Sequence, residues 1–151
     1  MSIGRSMYDS ILIPTDGSDR GAAAVEHGIE LAAAFGATVH AIYVIETKAH
    51  YPFTSAGHDP TEVQEHRDYG EKTVEAVVED AVDRGLDGVG VVKSGRVAQE
   101  IVEYAEDHTL DAIVIGAQGR SGLDRYLIGG TTEKVVRTAD IPVITVRSDE
   151  D

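Results

Sequence analysis

The sequence predicts an α/β fold: a doubly wound, five-stranded parallel sheet with helices on both faces, Rossmann-like in plan. Three observations predict it. Short branched apolar runs alternate with stretches in which apolar residues recur at helical spacing, the order left by crossover units on a parallel sheet. Hydrophobic residues make up 42% of the 151-residue chain while aromatics are only 5% and Trp is absent, so the core must be built from Val, Ile, Leu and Ala. That palette suits strands buried on both faces. No seam in composition divides a chain of this length, and residues 1–151 are expected to form one domain around one core.

The elements follow in order. The first strand runs from Ser10 to Pro14, short, branched and closed by a proline, with Thr15 and Asp16 at its end and a turn at Asp16, Gly17 and Ser18. From Asp19 the pattern becomes helical through Ala22, Val25, Ile29 and Ala32, and Gly36 stands where that helix stops. Asp16, Ser18 and Asp19 all compete to cap it. The second strand is Thr38 to Ile45; residues 46–59 mix Lys, His, Pro, Ser and Gly without periodicity and read as the long loop. Asp59 announces the second helix, with Pro60 at its first position and Glu62 three residues after the cap. Val74, Val77, Val78 and Ala81 form its apolar face and Gly85 ends it. The third strand is Gly88 to Val92, and the third helix is marked by Val97, Ile101, Val102 and Ala105. The fourth strand, Ala112 to Ile115, enters a glycine-rich segment from Gly116 to Gly130. The fourth helix covers roughly Thr131 to Thr138, Pro142 blocks its continuation, and Val143 to Val146 is the fifth strand, followed by the acidic tail 148–151.

Composition removes several functions. Cysteine is absent, which excludes disulfides, thiolate metal sites and cysteine nucleophiles. Lys plus Arg number 13 against 27 Asp plus Glu, a net charge of −14, and the basic residues are dispersed, so nucleic acid is not an expected partner. No apolar run approaches the ~20 residues of a membrane span, and the N-terminal residues lack the apolar stretch of a signal peptide; a cytoplasmic protein without a membrane partner is expected. The acidity reads either as a well-solvated surface or, more sharply, as halophilic adaptation, in which salt screens self-repulsion.

In a doubly wound sheet, ligands sit beyond the carboxyl ends of the strands where the strand order reverses, which directs attention to the loops after strands one, two and four. After strand four, Gly116, Gly119, Gly122, Gly129 and Gly130 remove Cβ atoms and permit positive φ, so successive N–H groups can converge on an anion. Gly129, Gly130, Thr131 and Thr132 open the fourth helix, where unsatisfied N–H groups and the helix dipole favour phosphate. Arg120 and Arg125 either add positive charge or are solvated surface. There is no G-x-x-x-x-G-K-[ST] and no G-x-G-x-x-G. The first turn carries Asp16 instead, which suits ribose hydroxyls better than phosphate; the alternative is that Asp16 only shapes the turn.

Gly116-x-x-Gly119, followed after Arg120 to Ile128 by Gly129, resembles the ATP-binding signature G-x2-G-x9-G-[ST] of the universal stress protein family. ILIPTDGS near the start, GRSGLDRYLIGGTTEKVVR and the closing IPVITVR are in the same style, so the resemblance spans essentially the whole chain. It implies an adenine nucleotide alpha hydrolase-like fold, with Pro14, Thr15 and Asp16 at the nucleotide, Asp16 on the ribose and Val44 against adenine. Gly116, Gly119, Arg120, Gly129, Gly130, Thr131 and Thr132 would lie at the phosphates. The three spaced glycines are those of the ATP binders of the family. The resemblance further implies ATP, ADP or AMP as ligand, Mg2+ arriving with it, and a homodimer paired through Val143 to Val146, a sheet edge that would otherwise be exposed. One position departs: Gly130 stands where the signature has Ser or Thr, so either Thr131 and Thr132 or the Gly130 N–H must replace the missing hydroxyl.

The six histidines, His27, His40, His50, His58, His66 and His108, show no metal spacing and read as surface or loop residues. Tyr104 and Tyr126 read as packing residues and Ser121 as a solvated loop hydroxyl. The expected function is an ATP-binding regulatory or stress-response protein, since no general base or activating lysine accompanies the loop. The rivals are a slow Mg2+-dependent ATPase or nucleotidyl transferase, and an interaction module that binds no nucleotide.

Overall fold

A computed structural model describes residues 7–47, 60–117 and 129–148. Their elements are β1 (Ser10–Pro14), α1 (Asp19–Phe35), β2 (Thr38–Glu46), α2 (Pro60–Asp83), β3 (Gly88–Gly95), α3 (Val97–Asp107), β4 (Ala112–Gly116), α4 (Gly130–Thr138) and β5 (Val143–Val146). All five strands are parallel, in the order β3-β2-β1-β4-β5. The chain winds outward from β1 to β3 and then returns to the other side of β1, so the direction of winding reverses between β1 and β4. Those two strands are neighbours through Ile11↔Ala112 and Leu12↔Ile113. This is the doubly wound sheet that the alternation of patterns predicts.

Period-two alternation along the strands serves two cores at once. Ile11, Ile13, Val39, Ala41 and Tyr43 meet Ile29 and Ala32 of α1 and Val74, Val77 and Ala81 of α2 on one face. Leu12, Ile42, Ile113 and Ile115 meet Ile101, Val102 and Ala105 of α3 and Val135 of α4 on the other. Ile11, Leu12 and Ile13 are each 0% exposed, which is why this strand reads as a continuous apolar run without alternation. Each such side chain contributes about 1.5–3 kcal/mol of burial free energy.

Local signals place the helix ends. Ser18 caps α1, its side chain accepting from the Gly21 N–H, and Gly36 closes that helix at φ 69°. The third strand, predicted to end at Val92, runs on to Gly95. Its extension is polar because β3 is an edge strand, yet Val44↔Lys93, Ile45↔Ser94 and Glu46↔Gly95 continue the ladder. α4 starts at Gly130, one residue before the predicted start. Asp59, the predicted cap of α2, and most of the predicted loop 46–59 lie outside the described residues, although Glu46 belongs to β2.

Candidate functional site

The carboxyl ends of β1 and β4 lie past the reversal point, beyond the last paired residues Leu12↔Ile113, and short hydrogen bonds fix what each presents. At the end of β1, the Thr15 N–H donates to the Ile42 carbonyl of β2 at 2.9 Å. The chain then turns: the Gly17 N–H donates to Thr15 Oγ1 at 3.2 Å and the Ser18 N–H to Asp16 Oδ1 at 2.9 Å. Asp16 therefore shapes the turn and leaves the cap of α1 to Ser18. Pro14, Thr15 and Asp16 are all half-buried at this strand end. The two readings of Asp16 are compatible, since turn formation is what holds its carboxylate at the tip of β1.

At the end of β4 the start of α4 is clipped to the strand by two bonds. The Gly129 N–H donates to the Ala117 carbonyl at 2.8 Å. Thr132 Oγ1 donates to the Gly116 carbonyl at 2.6 Å. Ala117 is tied in turn to β5 by its own N–H on the Val146 carbonyl, 2.8 Å. Thr132 is 3% exposed, so its hydroxyl is committed to this clip. Gly129 is the N-cap of α4 and supplies no side-chain cap bond; the first intrahelical bond runs from the Glu133 N–H to the Gly129 carbonyl at 2.9 Å. The amides ahead of it belong to the unsatisfied end of the helix, which carries a partial positive charge. Among the described residues Gly130 is exposed, and a Cβ built on it would meet none of them within 4 Å.

Val44 lies two residues beyond Ile42 on β2, and its side chain packs against the core cluster that includes Ile42, Ile101 and Val135. It is therefore on the α3–α4 face of the sheet, the face from which α4 rises. The structure thus brings Pro14, Thr15, Asp16, Gly116, Gly129, Gly130, Thr131 and Thr132 to the tips of β1 and β4, with Val44 beside them toward the end of β2. Gly119 and Arg120 lie outside the described residues, as do Arg125, Ser121 and Tyr126. An open cleft of about 800 Å³ lies between α1 and α2, on the opposite face, and shares only Thr15 with the predicted residues. It is lined by Val25, Ile29 and Val77 at greater depth and by Tyr69 and Lys72 of α2.

Two groupings escaped the sequence reading. His40 is not a surface residue: it is half-buried on β2, with Nδ1 2.8 Å from Tyr104 Oη. Burial, and secondarily the nearby His108, hold its imidazole below the usual value, while burial pushes the Tyr104 hydroxyl up. His108 stacks on Tyr104 at 4.0 Å between ring centroids. His27, His66 and His108 are exposed, whereas His50 and His58 lie outside the described residues. Tyr104, 4% exposed, is a packing residue as expected. The second grouping joins Tyr69 of α2 to Gly17 in the β1–α1 turn. Among the described residues there is no group of three or more His, Cys, Asp or Glu able to hold a metal ion, and no helix long and apolar enough to cross a membrane.

The family model described as the universal stress protein family matches residues 7–147. Universal stress protein MJ0531 of Methanocaldococcus jannaschii is 35% identical over 144 residues, covering 95% of this chain and 85% of that protein. The solved universal stress protein UspA from Lactobacillus plantarum superposes with a TM-score of 0.77 at 27% identity, covering 93% of this chain and 98% of its own. A universal stress protein from Archaeoglobus fulgidus, solved in complex with dAMP, shares the fold with a TM-score of 0.69 at 21% identity, over 93% of this chain and 99% of its own.

Proposed function

The chain belongs to the universal stress protein family, and on that premise we propose that it binds an adenine nucleotide, ATP first among ATP, ADP and AMP, as a regulatory ligand. One observation carries this reading: the amide-bearing start of α4 is clipped to the tip of β4 at the reversal point, one strand away from Asp16. A nucleotide laid across that point places its ribose at Asp16, with Pro14 and Thr15 along the same strand end. Its base lies along β2 at Val44, and its phosphates lie at Gly116, Gly129, Gly130 and Thr131. The clip gives Thr132 the task of holding the helix, so the Gly130 N–H and the Thr131 hydroxyl stand in for the hydroxyl that Gly130 lacks. Gly119 and Arg120 complete the phosphate cradle in the sequence-based reading. The Archaeoglobus fulgidus protein of the same fold makes an adenine nucleotide the ligand to test first.

Mg2+ enters with the nucleotide, held mainly by phosphate and water oxygens. The reading sets the protein in the cytoplasm, in a stress response, with the bound nucleotide biasing its association. The homodimer pairs β5, which stands at one edge of the sheet with Val143, Ile144 and Val146 half-buried. Equilibrium dialysis against ATP, with and without Mg2+, tests the proposal. Saturable binding that is weakened by Asp16→Ala is expected; no binding at millimolar nucleotide would remove it. Release of phosphate abolished by changes at Asp16 or Gly129 would favour an ATPase instead.

A further inference from the structure

The turn that presents Asp16 is buttressed from a helix on the far side of the cleft. Gly17 has φ +78°, and the space a side chain would fill there is already taken by Tyr69. A Cβ on Gly17 would clash with Tyr69 Oη, and would stand 3.0 Å from Tyr69 Cζ and 3.2 Å from Thr73 Oγ1. Two features therefore require glycine at this position, the left-handed backbone and the tyrosine tip laid over it.

Tyr69 is itself firmly seated. Its ring meets Tyr43 of β2 edge-on, with centroids 5.7 Å apart and planes at 71°. The Thr73 hydroxyl donates to the Tyr69 carbonyl at 2.7 Å. Gly70 lies against the same Tyr43 ring, where a Cβ would come within 2.6 Å of Cδ1. Yet Tyr69 is 48% exposed. A half-exposed ring adds less to the core than a buried one, and the tip of this one abuts the turn at Gly17. The turn is small: Gly17 donates to Thr15 Oγ1, and Asp16 Oδ1 accepts from the next N–H. Movement at Gly17 is transmitted directly to the Asp16 carboxylate.

We infer that Tyr69 is a positioning residue for ribose recognition: by seating on Gly17 it sets the orientation of Asp16 without itself touching the nucleotide. This rests on Asp16 being the ribose ligand. The Tyr43–Tyr69 pair also ties the turn to β2, so α2 braces the ribose end of the site, and the phosphate end at α4 stands apart from it.

The test compares the binding of ATP, 2′,3′-dideoxy-ATP and tripolyphosphate. Tyr69→Ala should reduce the preference for ATP over the dideoxy analogue by about tenfold, the worth of one hydrogen bond to a charged group. Binding of tripolyphosphate should be unchanged. Tyr69→Phe, which keeps the ring over Gly17, should restore the preference. An unchanged preference in folded Tyr69→Ala overturns the inference, as does an equal loss for ATP and tripolyphosphate, which would mark a general disturbance of the fold. Should Tyr69→Ala fail to fold, the same ratio is read on Tyr69→Leu, which keeps apolar bulk on Tyr43 without the reach to Gly17. A wild-type protein that binds ATP no better than its dideoxy analogue removes Asp16 as the ribose ligand, and this inference with it.

Discussion

His40 shows how one residue ties stability to pH. Its imidazole is held below its ordinary value of about 6.5 by burial and, secondarily, by His108, and its neighbours are Tyr104 and His108. As pH falls, the unfolded chain takes up the proton before the folded one does. The stability present above about pH 6.5 is therefore lost as pH falls toward the folded-state value. Urea midpoints measured between about pH 7.5 and 5.5 should fall more steeply in the wild type than in His40→Gln; parallel curves would show that the ring does not titrate differently on folding. This grouping was not legible in the sequence. His40 lies in an otherwise apolar strand, and only the approach of α3 reveals that Tyr104 and His108 close over it. Asp16 was half legible: its place at a strand end was clear, but the choice of Ser18 as the cap depends on a bond from Gly21 that no spacing rule singles out.

At the scale of elements, α2 is packed closely where its sequence is least helical. Gly70 sits in its interior, where Ala would gain about 1 kcal/mol in helix propensity. The close approach to Tyr43 opposes that gain. A Cβ on Gly70 would lie 2.6 Å from Cδ1 and 3.1 Å from Cε1 of a ring that is 6% exposed and cannot retreat from the sheet. Overpacking of this kind costs about 1–3 kcal/mol, so Gly70→Ala should lower the denaturation midpoint despite the better propensity. A raised midpoint would show that α2 is free to shift outward. Helix stops were largely legible because glycines act locally, as Gly36 does for α1. Strand ends were less so. β3 reaches Gly95 because β2 offers a ladder out to Glu46, and an edge strand needs no apolar residues to occupy it. The seat of Tyr69 on Gly17 was illegible for a related reason: it depends on how α2 lies over the first turn, which periodicity does not encode.

For the whole molecule, charge is the property that the fold must tolerate. A net charge of −14 repels itself at low ionic strength, and the ion pairs Arg84–Glu30 and Arg137–Glu133 are exposed and contribute little. The Debye length shrinks from ~10 Å at 0.1 M salt to ~3 Å at 1 M. The proposed adaptation to high salt therefore predicts an unfolding midpoint that climbs with KCl; a flat or falling series would reject it. The winding reversal between β1 and β4 was legible only as a consequence of the alternating pattern, since the strand order itself rests on long-range pairing. That reversal is what sets Asp16 and the start of α4 at the ends of neighbouring strands, and the proposed nucleotide has its phosphate at the start of α4. Gly130→Asp isolates it. No described residue lies within 4 Å of a Cβ at this position, and an acidic residue in the first turn favours the helix, so the thermal midpoint should hold or rise. A carboxylate among the phosphates should nonetheless weaken ATP binding by about a hundredfold or more. Wild-type affinity for ATP in a stably folded Gly130→Asp would rule out phosphate binding at the start of α4.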